Sequence, residues 1–318
     1  MRVLLVRLDG VGDAAVCVPL LAALRDAGHE VGVALTTRNA GLFAPNAIVA
    51  EHVLERIPWP AHGSTPECTA RANAEIAALR YDVALIASEE PEAYELAARI
   101  PQRVGFSTGW TRPLKSLWVR ARTTRTVSRS QRVGGEDAHE VEVMYRLGAG
   151  LVRDPAPPSG VQALRAVLLE QPHGTSFTAG QLHRPVVVQT GTKWASIGVP
   201  PAAQRALFEG LRPYARFFAA PGEARAVAEA TGVEPETFAT TRAWVEALGR
   251  AQTVVSVDTG AAHVGGMVAE RVFDVFPDAQ FEAQVRRWRP WASRYRAFRA
   301  SEVAGRSSAL IEAVLDGF

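Results

Sequence analysis

The chain has 318 residues, 47% of them hydrophobic and 21% charged, with a formal net charge of +2. That is an ordinary globular composition; it excludes intrinsic disorder, and the near-neutral balance gives no reason to expect nucleic acid as a partner. Two cysteines, Cys17 and Cys68, are too few for a disulfide framework or a zinc cluster and fit a reducing cytoplasm. Arg7, Asp9 and Asp13 interrupt the apolar N-terminal run, and Ala14 to Leu24 is too short to span a bilayer. Any membrane contact is therefore expected to be peripheral.

In chain order, Val3 to Val6 reads as a strand and Asp13 to Ala27 as a helix stopped by Gly28. Val31 to Leu35 is the next strand, followed by a helix over Ala70 to Leu79 and a strand over Val83 to Ala87. A helix is expected from Glu136 to Leu147, closed by Gly148. The Pro-rich run Asp154 to Gly160 then reads as an interdomain linker.

Alternation restarts with strand Pro185 to Gln189, helix Pro201 to Leu211 and strand Arg216 to Ala219. Helices Glu223 to Thr231 and Arg242 to Leu248 follow, then strand Thr253 to Val257, a helix from Ala261 onward, and strand Val272 to Phe276. An irregular Arg- and Trp-rich stretch precedes a last helix, Ser307 to Leu315. Such alternation implies α/β architecture: two doubly wound domains with parallel sheets and a cleft between them.

Two strand–helix turns carry chemistry. Asp258, Thr259 and Gly260 sit where a β-branched strand becomes a helix, a tip that offers unpaired N–H groups and partial positive charge to an anion. His263, one turn on, can face the same group, and the pattern suits a diphosphate. The first turn, Gly10-Val11-Gly12-Asp13-Ala14-Ala15, formally satisfies a dinucleotide fingerprint, and Arg38 could read a 2′-phosphate. Against an oxidoreductase stand the polar Arg7 and Asp9 in the approach, and Asp13 where a pyrophosphate would sit. An acid at a helix N-terminus is commonly a cap, yet the same place aims a carboxylate outward as a general base requires.

Arg2 to Asp13 followed by Pro19-Leu20-Leu21-Ala22-Ala23-Leu24-Arg25 resembles the start of the family 9 glycosyltransferases, the ADP-heptose:lipopolysaccharide heptosyltransferases and their relatives. Asp258-Thr259-Gly260-x-x-His263 resembles the family's second hallmark. Val187 to Trp194 resembles its phosphate-lysine turn, Pro221-Gly222-Glu223 its ribose-binding turn, and His139-Glu140 with Tyr145 to Gly148 the helix closing its first domain. The resemblance implies a GT-B fold of two Rossmann-like domains facing a central cleft: acceptor binding over residues 1–154, nucleotide-sugar binding over 155–300, and a C-terminal helix, 301–318, returning toward the first. It further implies inverting transfer of a sugar, heptose from ADP-heptose above all, to a hydroxyl of a lipopolysaccharide-core-like or other surface glycan, with no cofactor or metal. A lipid-linked acceptor would put such a protein at the inner face of the cytoplasmic membrane.

In that frame Asp13 is the base. Thr190, Thr192, Lys193, Glu223, Asp258, Thr259, Gly260 and His263 hold the donor, and Gly12, Arg112, Lys115, Arg120 and Arg122 the acceptor. The acid-free run of cations from Arg112 to Arg132, punctuated by Trp118 and preceded by Trp110, reads either as a solvated loop or as a docking surface for a polyanion. Arg286 to Trp291 could touch a membrane surface but reads mainly as scaffold. The chain departs from the family after Lys193, where Ala195 to Pro200 lacks basic residues, and at Pro277 to Gln280, where a small Gly-containing turn is usual; Arg271 also stands where a proline is. These departures motivate a second reading, a sugar-nucleotide-binding protein without catalysis.

Overall fold

The structure, a computed structural model, describes residues 1–55, 65–130, 132–133, 136–170 and 186–316. The chain divides into two compact units, residues 1–158 with 166–170 and residues 159–165 with 171–318.

The first unit contains strands β1 (Arg2–Val6), β2 (Glu30–Thr36), β3 (Ala50–Leu54), β4 (Val83–Ile86), β5 (Gln102–Ser107) and β6 (Arg125–Ser128). They form one sheet in the order β3-β2-β1-β4-β5-β6, and every pairing is parallel. Its helices are α1 (Val11–Ala15), α2 (Val18–Asp26), α3 (Pro66–Leu79), α4 (Pro91–Ala97), α5 (Pro113–Arg120) and α6 (Glu140–Tyr145). Leu4 and Val6 pack with Ala72, Ile76, Tyr94 and Val119 from α3, α4 and α5. Val3 and Leu5, of the opposite parity, are equally buried, so both faces of the sheet are covered.

Three expectations for this half are corrected. The helix placed over Asp13 to Ala27 is two helices, α1 and α2, because Pro19 in the first turn of α2 has no N–H to continue the ladder. Glu136–Asp137 (β8) pairs antiparallel with Arg132–Val133 (β7), and the helix expected from Glu136 begins only at Glu140. Its start is set by His139, whose Nδ1 accepts from the Val141 N–H at 3.1 Å while Glu142 accepts from the His139 N–H at 2.8 Å. Residues 112–130 hold α5 and β6 rather than a loop.

Helix α7 (Val161–Leu168) straddles the division of the chain, five residues going with the second unit and the rest with the first. The second unit has strands β9 (Val186–Gln189), β10 (Ala215–Phe218), β11 (Thr253–Val257), β12 (Arg271–Phe276) and β13 (Arg294–Arg299). These also form an all-parallel sheet, in the order β10-β9-β11-β12-β13. Pro185, the expected start of β9, lies outside the described residues. Helix α8 (Lys193–Ser196) was not expected; α9 (Pro201–Leu211), α10 (Ala224–Thr231), α11 (Thr241–Leu248) and α12 (Gly260–Val268) follow the expected order, then α13 (Phe281–Trp288), α14 (Ala300–Gly305) and α15 (Ser307–Asp316).

The stretch expected to be irregular thus contains α13 and the edge strand β13, whose Arg-Tyr-Arg-Ala-Phe-Arg sequence alternates exposed arginines with more buried residues. Leu310, Ala313 and Val314 of α15 share a core with Leu207, Phe208 and Leu211 of α9.

Helix α12 lies unusually close to its neighbours. A Cβ on Gly265 would stand 3.1 Å from Val254, and one on Gly266 would stand 2.8 Å from the Pro290 Cβ and 2.9 Å from its Cα. Backbone at Pro290 has nowhere to retreat, so Gly266→Ala is expected to destabilise the second unit by about 1–3 kcal/mol, read as a lower urea midpoint with little change in slope.

Candidate functional site

Strand order places a switch point in each sheet, between β1 and β4 in the first and between β9 and β11 in the second. Chain segments leaving neighbouring strands diverge there, and their side chains converge outside the carboxyl ends.

At the first switch point the central group is Arg7, just past β1 and only 5% exposed. Its Nε lies 3.2 Å from Asp9 and its Nη2 3.0 Å from Asp13, while Nη1 donates to the Ala87 carbonyl beyond β4. Burial is the largest influence on its guanidinium and opposes the charge; the combined pull of Cys17, Asp9, Asp13 and Glu140 outweighs it and holds Arg7 above its ordinary value. The backbone is pinned as well, since the Arg7 carbonyl accepts from the buried Asn39 amide at 3.0 Å. Ser88, also beyond β4, accepts from the Leu8 N–H at 2.6 Å and donates to Asp9 at 2.9 Å.

Asp13 is the third residue of α1, its side chain 41% exposed. One carboxylate oxygen folds back to 3.5 Å from where a Cβ on Gly10 would be. Gly12 precedes it in the same first turn. Burial, only partly offset by Arg7, pushes the adjacent Cys17 thiol up to about 12, leaving it protonated and unreactive at neutral pH.

The basic residues further along are not a uniform cationic surface. Lys115 pairs with Glu89, and Arg129 pairs with the fully buried Glu140 at 2.5 Å. Burial would raise the Glu89 carboxyl, but Lys115 above all, with Arg129 and Arg112, holds it below its ordinary value. Arg122 lies 4.1 Å over the Trp118 ring. Arg112 and Arg120 are exposed.

At the second switch point Lys193, first residue of α8, donates its ammonium to the Asp258 carbonyl and lies 3.9 Å from the Asp258 carboxylate. His263 is 6% exposed; its Nε2 stands 3.6 Å from Asp258 and its ring 5.5 Å from Trp288. Thr259 caps α12 by accepting from the Ala261 N–H at 3.3 Å, and its hydroxyl lies 3.0 Å from Ser256. Gly260 opens the helix. Lys193, Asp258, Thr259, Gly260 and His263 are thus brought together.

Glu223 and Thr192 form a separate pair, the carboxylate accepting from both the N–H and the hydroxyl of Thr192. Its other oxygen would lie 2.7 Å from a Cβ on Gly191, whose φ of 154° favours glycine. Thr190 is buried, with its hydroxyl donated to the Phe218 carbonyl at 2.8 Å. In the divergent segment at 277–280, Gln280 takes a φ of 57°, the left-handed conformation a glycine adopts without strain.

Sequence reasoning missed three contributors. Ser88 and Asn39 gave no local signal, being single polar residues in loops. Asp274 is fully buried in β12, and neither of its oxygens has a hydrogen-bond partner among the described residues. A lone acid in Arg271-Val272-Phe273-Asp274-Val275-Phe276 was a visible breach of an otherwise apolar strand. A cavity of about 380 Å³, lined by Val83, Gln102 and Arg125 among others, lies at the opposite, amino-terminal end of the first sheet, away from these groups.

No protein-family model matches the sequence, and no curated protein matches it. Solved structures do. The E. coli heptosyltransferase WaaC with ADP is similar at a TM-score of 0.69 and 19% identity, covering 98% of this chain and 99% of that one. A family 9 glycosyl transferase from Veillonella parvula DSM 2008 is similar at 0.65 and 15% identity, over 100% and 89%. This chain has the fold of the family 9 glycosyltransferases. E. coli ADP-heptose lps heptosyltransferase II agrees, at a TM-score of 0.63 and 13% identity over 99% and 100% of the two chains. The expected GT-B fold, with a parallel doubly wound sheet in each unit, is therefore found.

Asp274 carries a pH signature. Burial chiefly, and then the neighbouring Asp258 charge, raises its carboxyl well above the ordinary value. An acid raised in the native state costs stability as pH climbs past its unfolded pKa of about 3.9, because only the unfolded chain ionises freely. Asp274→Asn removes that cost. Urea midpoints should show the variant gaining on the wild type from about pH 4 toward pH 7; a gap independent of pH would mean that Asp274 ionises as readily in the folded protein as in the unfolded chain.

Proposed function

We propose that this protein is an inverting glycosyltransferase that moves a sugar from a nucleoside diphosphate donor to an acceptor hydroxyl. The observation that carries the reading is the Asp13 carboxylate, held half-exposed at the first switch point by a buried arginine. The acceptor O–H gives its proton to Asp13 as the oxygen bonds to the sugar's anomeric carbon from the face opposite the leaving group. The bond from that carbon to the diphosphate oxygen breaks, and the nucleoside diphosphate departs with the electron pair. Lys193 and the α12 N-terminus at Thr259 and Gly260 neutralise its charge. Asp258 and His263 orient Lys193 and the start of that helix, while Glu223 and Thr192 hold the nucleoside end. Thr190 supports the turn from within the sheet.

The first unit is assigned the acceptor and the second the donor. ADP in the WaaC structure, and ADP-2-deoxy-2-fluoro heptose in another structure of that enzyme, favour an ADP-sugar, with heptose the leading candidate. An anionic glycan or glycolipid acceptor fits Arg112 and Arg120, with Lys115 and Arg122 at their flank. Dinucleotide binding is disfavoured, because Asp9 and Asp13 set two carboxylates where a pyrophosphate would lie.

Thermal stability against ADP, UDP, GDP, ADP-heptose and NADP tests the donor. A ligand at about 100 times its Kd stabilises the native state by roughly 2.7 kcal/mol, so a rise confined to ADP and ADP-heptose is expected, and a rise with NADP alone would overturn the assignment. Asp13→Asn should lower transfer by about 100- to 10,000-fold while ADP affinity stays nearly unchanged. Lys193→Ala should weaken ADP binding by about 10- to 100-fold, the loss of one charged hydrogen bond. Binding of ADP-heptose without any release of ADP would favour the non-catalytic reading.

A further inference from the structure

Among the described residues, seven large hydrophobic side chains are exposed, and three of them fall within eight positions of each other. Trp110 is 95% exposed, Leu114 81% and Leu117 62%. Leu114 and Leu117, three apart, share one side of α5, and Trp110 stands in the short turn that leads into it. The other side of α5 is buried through Ser116 and Val119. This side is therefore an apolar face presented to solvent, and a nearly bare tryptophan has no packing role to explain it.

The surrounding charge selects the occupant. Between Glu95 and Glu136 the sequence has nine cations and no acid. Lys115 and Arg129 are spent on Glu89 and Glu140, but Arg112 and Arg120 flank the apolar face and are exposed. The Arg120 side chain has no hydrogen-bond or ion-pair partner among the described residues.

We propose that Trp110, Leu114 and Leu117 seat this face of α5 in the interface of an anionic lipid bilayer, with Arg112 and Arg120 against its headgroups. Tryptophan and leucine enter the headgroup boundary while arginines at their edge meet anionic lipid, and neither alone gives stable binding. A second copy of the chain fits less well, because a twofold contact would bring these arginines toward their own images. No helix among the described residues is long and apolar enough to cross a membrane, so the contact is one of surface docking. Arg112 and Arg120 are shared with the acceptor reading, and the test separates the two because it reads binding to vesicles that hold neither donor nor glycan acceptor.

Sedimentation of the full chain with vesicles tests it. Binding is expected to phosphatidylcholine mixed with phosphatidylglycerol and not to phosphatidylcholine alone, and it should weaken as salt shortens the screening length. The triple variant Trp110→Ser, Leu114→Ser, Leu117→Ser should lower the partition by about tenfold or more with an unchanged melting temperature. Should that variant fold poorly, Arg120→Glu should weaken partition about fivefold or more. Overturning results are a wild type that stays free of anionic vesicles at low salt, a triple variant that binds as the wild type does, or a wild-type dimer that the triple variant turns into a monomer.

Discussion

Every strand in each of the two main sheets runs parallel to its neighbours, and that constraint arranges everything else. All carboxyl ends of a sheet then lie at one edge, and the crossover connections must diverge where the strand order reverses. Side chains distant in sequence meet at that point: Arg7 reaches Ala87, and Lys193 reaches Asp258. The covered faces of the sheets are nearly continuous Val, Leu, Ile and Phe, and they leave little room for polar chemistry except at the tips. The buried polar residues within the strands include His52, Thr253 and Ser256, and Asp274 adds a fully buried carboxyl to them.

The two tips are built with opposite electrostatics. In the first, a buried guanidinium is surrounded by carboxylates, one of which remains half open to solvent. Removing a buried cation's partners costs several kcal/mol, so Arg7 and its acids hold one another in place. In the second, an ammonium, a helix N-terminus and an imidazole gather around Asp258. A proton acceptor suits the first environment, and stabilisation of a departing anion suits the second. The assignment of acceptor to one unit and donor to the other rests on that contrast.

The basic segment after β5 shows how tertiary pairing edits a charge pattern. Read linearly, it is an acid-free polycation. Folded, it spends Lys115 and Arg129 on Glu89 and Glu140, and it stacks Arg122 on Trp118. What remains outward on α5 is apolar, with Arg112 and Arg120 exposed at its edge. The Arg- and Trp-rich stretch near the C-terminus went the same way: Arg287 lies over Trp288 and Arg289 over Trp291, within α13 and the turn to β13.

Periodicity and turn residues alone determined the α/β class, most strands, the bounds of α9 and β11, and the switch-point residues Asp13, Asp258 and Thr259, whereas Lys193 was singled out by the resemblance of Val187 to Trp194 to the family's phosphate-lysine turn. Those signals are local: a buried parallel strand is continuously apolar, and a helix start needs a cap. The broken α1–α2 helix and the delayed start of α6 were local too, but their signals, Pro19 and His139, were outweighed by the surrounding pattern. The edge strand β13 was missed because an edge strand need be apolar on one face only, and its arginines masked the alternation. Only the tertiary structure decided that Arg7 holds Asp13, that Ser88 and Asn39 complete that site, that Thr190 faces inward, and that Asp274 lies in the core without a hydrogen-bond partner among the described residues. Each depends on which strands become neighbours, and strand order is a property of the whole chain that no window of sequence contains.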